Sequence, residues 1–226
     1  MPPLRSVPYQ RPLLDDPTHL DRALAVHRAY ATRRSVREFS DRPVDAAVIA
    51  QAIAAASTAP SGAHMQPWHF CAVGDPALKH RIRLAAEEEE RRSYDGRMNE
   101  EWLTALAPIG TTWEKPFLDI APWLVVVFAQ AWGLGPDGAR VQHYYVRESV
   151  GIAVGMFIAA IHEVGLCTLT HTPSPMAFLG QLLGRPGNER AFVLLPVGHA
   201  APGCEVPDLQ RKPLDAVSSW FPPREA

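Results

Sequence analysis

The sequence predicts a single mixed domain of α/β or α+β class, and three observations point there. Strand-type apolar runs at Trp68–Val73, Trp123–Gln130 and Ala191–Gly198 are separated by longer stretches of helical character. Residues that start and stop helices flank those stretches. No internal repeat, low-complexity tract or break in composition marks a second domain.

The elements follow in order. Met1 to Leu14 is a proline-rich arm, so residues 1–17 are read as extended and 18–221 as the folded body. Asp16-Pro17-Thr18 opens an amphipathic helix that runs to Ala31. A basic segment, Arg33 to Arg37, precedes an alanine-rich helix over Asp45–Ala56, which ends in the loop Ala59-Pro60-Ser61-Gly62-Ala63-His64. After the strand Trp68–Val73, Asp75-Pro76 caps a helix that continues through four glutamates to Tyr94. Residues 95–119 read as short helices broken by turns. The strand Trp123–Gln130 precedes a long helix from Val141 to Val164. A short strand Leu166–Thr170, a helix Met176–Leu183 and the strand Ala191–Gly198 complete the body.

Composition narrows the function. The 226 residues are 47% hydrophobic and 20% charged, and 22 basic against 24 acidic side chains leave a formal charge of −2. That balance does not favour nucleic acid, which asks for a basic excess. Cys71, Cys167 and Cys204 are odd in number and far apart, so a reducing, cytoplasmic setting is expected. The N-terminus lacks a signal-like apolar core, and the apolar run Val150–Ile161 is too short for a bilayer, so no membrane association is expected. That run is apolar on every face, with Gly151 and Gly155 one turn apart, and reads either as a helix at a subunit interface or as the centre of a monomer core.

Gly133-Leu134-Gly135-Pro136-Asp137-Gly138 matches a dinucleotide fingerprint, but Pro136 and Asp137 fall inside the turn and the expected acidic partner would lie within a helix. It reads as a glycine-rich surface turn. The nine histidines show no ligand spacing, so no metal is expected. Cys71 and Cys167 read as packed thiols.

Arg33-Arg34-Ser35-Val36-Arg37 sets three guanidinium groups and a hydroxyl within five residues, with Arg211-Lys212 near the C-terminus. Guanidinium forks suit phosphate, although a solvated charged turn has the same composition. Ser61 and Gly62 could bring backbone amides close to a planar ring, or simply end a helix. Thr168, Thr170 and Thr172 share one face of an extended segment and could line a ligand edge or face water.

Taken in order, these segments resemble the nitroreductase-like flavoproteins, and within them the iodotyrosine deiodinase (halotyrosine dehalogenase) branch. The resemblance covers residues 30 to 215 and rests on R-R-S-V-R at 33–37, A-P-S-G-A-H at 59–64 with Pro67-Trp68, and K-H at 79–80 leading to E-E-E-E at 87–90. It continues through T-x-W-x-K from Thr111 to Lys115, H-Y-Y at 143–145, L-L-G-R-P at 182–186, L-L-P-V-G at 194–198 and P-D-L-x-R-K-P-L-D at 207–215.

The resemblance implies an α+β, nitroreductase-like fold with a central sheet surrounded by helices, an intertwined homodimer and FMN at the subunit interface. Arg33, Arg34 and Arg211 would meet the FMN phosphate, with Ser35 and Arg37 in the same cofactor-binding segment. Pro60, Ser61 and Gly62 of the other subunit would lie along the flavin. Thr170 and His171 would flank its edge, and the Thr172 hydroxyl would reach N5. A donor at N5 favours one-electron steps, whereas flavins without it more readily pass hydride.

Substrate residues are implied likewise. Glu90 and Tyr94 share a helix face, and Lys115 comes from a lid at 90–119. Glu90 would take the ammonium of a zwitterionic amino acid, Lys115 its carboxylate, Tyr94 a further hydrogen bond, and the Ala63 amide the phenolate oxygen. The other three glutamates of the run read as solvated. His171 stands where animal members have another hydroxyl residue, which bears on flavin tuning if its side chain faces the ring.

The expected activity is FMN-dependent reductive dehalogenation of halotyrosines, with NAD(P)H as electron donor directly or through a reductase. A broad NAD(P)H-dependent nitroreductase or quinone reductase is the second reading, and a flavin-storage protein the third. The Glu90, Tyr94 and Lys115 trio favours the first, because a promiscuous reductase needs no zwitterion clamp.

Overall fold

A computed structural model describes residues 6–10 and 16–221. The arm expected at 1–17 therefore lies mostly outside the described residues, apart from 6–10 and the first two positions of a helix. By internal contact the chain divides into two compact units, Met1–Arg33 and Arg34–Ala226. The first carries α1 (Asp16–Ala31), which extends into a turn where the Arg33 amide donates to the Tyr30 carbonyl at 3.2 Å.

The second unit begins with α2 (Ala46–Ala56), capped by the Asp45 carboxylate, which accepts the Ala47 amide at 2.8 Å. Then come β1 (Trp68–Val73) and α3 (Pro76–Arg92). Asp75 accepts from the Leu78 amide at 2.7 Å and Pro76 starts α3 without losing a bond. Beyond Arg92 the chain passes into a π-helical turn, Ser93–Arg97, and then into α4 (Glu100–Leu106) and α5 (Phe117–Ile120). The remaining elements are β2 (Trp123–Gln130), β3 (Trp132–Leu134), β4 (Arg140–Gln142), α6 (Val146–Glu163), β5 (Cys167–Thr168), α7 (Ala177–Leu182) and β6 (Glu189–Gly198).

The main sheet runs β1-β2-β6-β5, every pair antiparallel. Side chains of β2 alternate in the pleat. Val125 and Val127 meet Ile49 and Ala52 of α2 and Ala153, Phe157 and Ile161 of α6, whereas Leu124, Val126 and Phe128 meet Ile82 and Ala86 of α3, Phe117 and Leu118 of α5, and Leu179 of α7. Helices thus cover both faces. This is why the central strands read as continuous apolar runs rather than alternating ones.

Two expectations need correction. The long helix begins at Val146, not Val141, because Arg140–Gln142 pairs with Trp132–Leu134 in a hairpin. Gly138 (φ 77°) turns that hairpin, the Asp137 carboxylate accepts the Ala139 amide at 3.0 Å, and Tyr145 (φ 50°) redirects the chain into α6. The strand expected over Leu166–Thr170 is regular only at Cys167–Thr168, although His171 still exchanges both backbone hydrogen bonds with Leu194, at 2.8 and 2.9 Å. Of the two readings of the apolar run at 150–161, the centre of a monomer core does not fit α6, where Gly151, Ile152 and Gly155 form an exposed stripe.

Beside that helix, α2 and α6 flank an apolar groove of 470 Å³ lined by Val48, Ala52, Ala55, Ala160 and Val164. Among the described residues no helix is long and apolar enough to cross a membrane.

Candidate active site

A cavity of 190 Å³ opens on the face of the sheet that carries α3 and α7. It brings together seven residues singled out in the sequence: Arg37, Glu90, Tyr94, Lys115, Thr170, His171 and Thr172. Glu90 and Tyr94 come from the end of α3 and its π-helical turn, and Lys115 from the segment entering α5. Thr170, His171 and Thr172 follow β5, where the extended chain leaves Thr170 and Thr172 exposed and turns His171 inward. Thr168, which shares their face in the sequence pattern, is buried against β6 instead.

Two charged side chains of the cavity wall are shielded from solvent. Lys115 Nζ lies 3.7 Å from Glu90 Oε2, with side-chain exposures of only 4% and 13%. Lys115 Nζ also donates to Thr111 Oγ1 at 3.0 Å and to the Thr112 carbonyl. The Tyr94 hydroxyl donates to the Thr111 carbonyl at 3.0 Å. Burial pushes the Glu90 carboxyl up and the Lys115 ammonium down, each opposed by the other's charge. Burial, then the charge of Glu90, raises the Tyr94 phenol. Burial also lowers the Arg37 guanidinium.

His171 is 6% exposed, and its Nε2 is buried without a hydrogen-bond partner. Burial, with the charges of Lys115 and Arg37, takes its pKa down to about 3. The ring is therefore neutral at ordinary pH and stands edge-on to Phe117, with centroids 6.1 Å apart.

The remaining predicted residues lie elsewhere. Ser35 bridges Thr168, and the Val36 amide donates to the Thr168 carbonyl at 3.4 Å. The Arg34 guanidinium donates to the Pro207 carbonyl, which draws the segment leading to the exposed Arg211 toward the same edge. Arg33 falls in the other compact unit. Pro60, Ser61, Gly62 and Ala63 do not line the cavity; their loop packs on the start of α6, where the Gly62 amide donates to Ser149 Oγ at 3.2 Å. A Cβ on Gly62 would stand 2.7 Å from the Tyr144 carbonyl oxygen.

That loop holds three non-glycine residues at positive φ: Ala63 (49°), His64 (55°) and Gln66 (47°). Such strain concentrates at functional sites. The chemistry of the whole edge suits a ligand with a phosphate and a polar ring, since it offers guanidinium groups at one end and exposed threonine hydroxyls further on.

Sequence reasoning overlooked two parts of the site. Met98, just before α4, and Trp102 and Leu106 on it line one wall, and the spacing of four between Trp102 and Leu106 was a legible apolar pair. Of the glutamates read as solvated, Glu88 keeps the most exposed side chain, at 40%, and none of the three is fully solvated. Glu89 pairs with Arg92 at 3.2 Å and Arg97 at 2.7 Å, and Glu87 is 8% exposed. Burial of a run of like charges is legible only once the basic partners from other segments are known.

The nitroreductase family model matches residues 30–199. An iodotyrosine deiodinase from Haliscomenobacter hydrossis is 54% identical over 211 residues, covering 93% of this chain and 95% of that protein. Iodotyrosine deiodinase 1 of Rattus norvegicus is 46% identical over 197 residues, covering 87% of this chain and 69% of its own. A crystal structure of oxidized iodotyrosine deiodinase bound to FMN and 3-iodo-L-tyrosine superposes with a TM-score of 0.73 at 29% identity, over 86% of this chain and all of that one. With a family model spanning most of its length and relatives of this closeness, the chain belongs to the nitroreductase family, in its iodotyrosine deiodinase branch.

Proposed function

We propose that the protein is an FMN-dependent dehalogenase that converts halotyrosines, iodotyrosine among them, to tyrosine and halide. The observation that carries this reading is the buried Glu90–Lys115 pair, with Tyr94, in the cavity that Thr170 and Thr172 border. A free amino acid is a zwitterion, and this pair offers each of its charges an opposite partner.

Reduced FMN, when bound, supplies two electrons in single steps, which with one proton replace the carbon–halogen bond by carbon–hydrogen and release halide. The protein binds and orients. Arg33, Arg34 and Arg211, with Ser35, would hold the phosphate, and Arg37, which lines the cavity, would meet the cofactor there. Thr170 and His171 would border the ring, and Thr172 would donate its hydroxyl to N5. Glu90 would accept the substrate ammonium, Lys115 would donate to the carboxylate, and Tyr94 would add a hydrogen bond. The lid built on α4 would exclude water and so strengthen these contacts.

The Ala63 amide would meet the phenolate oxygen, with Pro60, Ser61 and Gly62 beside the flavin. In a single chain this loop stands apart from the cavity, so the reading requires a homodimer in which each copy completes the other's site. The exposed stripe of Gly151, Ile152 and Gly155 and the neighbouring apolar groove support that assembly. NAD(P)H, directly or through a reductase, would regenerate reduced flavin.

Anaerobic reduction of the flavoprotein with dithionite, followed by iodotyrosine or a nitroaromatic, tests the reading. Tyrosine and iodide are the expected products; nitro reduction without tyrosine would favour a broad nitroreductase instead. Glu90→Gln and Lys115→Ala should each raise the KM for iodotyrosine by roughly 10–100-fold while FMN stays bound, since a hydrogen bond to a charged group contributes about 1.5–3 kcal/mol. Unchanged affinity in both would remove the clamp.

A further inference from the structure

One face of α3 grips the segment that presents Lys115. Lys79, Arg83 and Glu87 are four residues apart and so lie in a row along the helix. Lys79 is 5% exposed, and its Nζ donates to the Asp119 carbonyl at 2.9 Å and the Ala121 carbonyl at 2.6 Å, meeting groups that the short α5 leaves unbonded. Arg83 divides its guanidinium between Glu87 Oε1 (Nε, 2.8 Å) and Asp119 Oδ2 (2.8 Å). Glu87 Oε1 in turn accepts the backbone amide of Lys115 at 2.7 Å. Nothing in the substrate clamp itself requires these contacts, because none of the three side chains lines the cavity.

We propose that Glu87, held by Arg83, is a positioning residue that fixes the Lys115 backbone so that its ammonium points into the cavity. The proposal rests on the substrate reading above. A lysine chain has four rotatable bonds, so the site's definition depends on where its backbone is anchored. The Glu87 bond is buried and charge-assisted, and Arg83 fixes the carboxylate's orientation, so the anchor is rigid. The same oxygen accepts both hydrogen bonds, which couples the entry of α5 to α3 at one atom. The negative charge of Glu87 also lies close enough to favour the Lys115 ammonium, opposing its burial.

The test compares Glu87→Ala and Glu87→Gln with wild-type holoprotein on two substrates, iodotyrosine and an iodophenol that lacks the amino and carboxylate groups. Glu87→Ala is expected to lower kcat/KM for iodotyrosine at least tenfold, mainly through KM, and to leave the iodophenol value and the FMN spectrum unchanged. Glu87→Gln keeps an acceptor for the Lys115 amide and should recover most of the loss. Equal losses on both substrates, or no loss on iodotyrosine, would overturn the proposal. If the wild type turned over neither substrate, the substrate reading would fall, and hydrogen exchange would decide the anchor. Faster exchange at the Lys115 amide in Glu87→Ala supports it, and unchanged exchange overturns it.

Discussion

His171 shows how much a single buried ring contributes to pH behaviour. Its imidazole has an ordinary pKa of 6.5 when unfolded and about 3 in place. Above the first value it is neutral in both states and contributes no pH dependence. Between the two values the unfolded chain binds a proton that the folded one refuses, so stability falls as pH drops through that window and levels off below it. The expected loss is on the order of 2 kcal/mol by about pH 5. In His171→Gln, urea midpoints should diverge less between neutral pH and pH 5 than in wild type; an identical divergence would assign the titration to another group. The identity of this residue was legible in the sequence, but its burial was not. Alternation along the segment turns either the threonines or the histidine inward, and only pairing of His171 with Leu194 on β6 decides which.

At the scale of elements, the helix–strand order and the ends of α2, β1 and β2 follow closely from capping residues and apolar runs, because each is set by chemistry local in sequence. The β3–β4 hairpin was not legible. Arg140–Gln142 is exposed throughout, has no apolar period, and becomes a strand only through its partner. Residues 60–66 are intermediate: their composition marked a loop near a ligand, whereas their positive φ values and their packing on α6 come from contacts distant in sequence. Gly62→Ala probes that packing. With 2.7 Å between the new Cβ and a backbone oxygen, the loop must shift, and overpacking of this kind costs about 1–3 kcal/mol. We expect a lower melting temperature and weaker FMN retention, read by fluorescence of released flavin; full retention would show that the loop can move without consequence for the cofactor.

For the whole molecule, the mixed α/β or α+β class was legible from the apolar runs, whereas the family, and with it a sheet surrounded by helices, was legible from the order of the motifs. The assembly is a matter of inference from an apolar stripe. Ile152, 46% exposed in the single chain, is the point at which to test it. Ile152→Glu would place a charge in the proposed interface, so light scattering coupled to gel filtration should report monomers that have lost flavin. A dimer that keeps its flavin would move the interface elsewhere. The internal pairing of Glu90 with Lys115 has one more consequence. Before substrate arrives, the cavity is already electroneutral at this pair, and a zwitterion would convert one ion pair into two while leaving the sum of charges unchanged. A ligand with only an ammonium or only a carboxylate would separate the pair and leave one buried ion uncompensated, a cost of several kcal/mol. The site would therefore act as a charge-parity filter, more hostile to half of an amino acid than to a molecule with neither group.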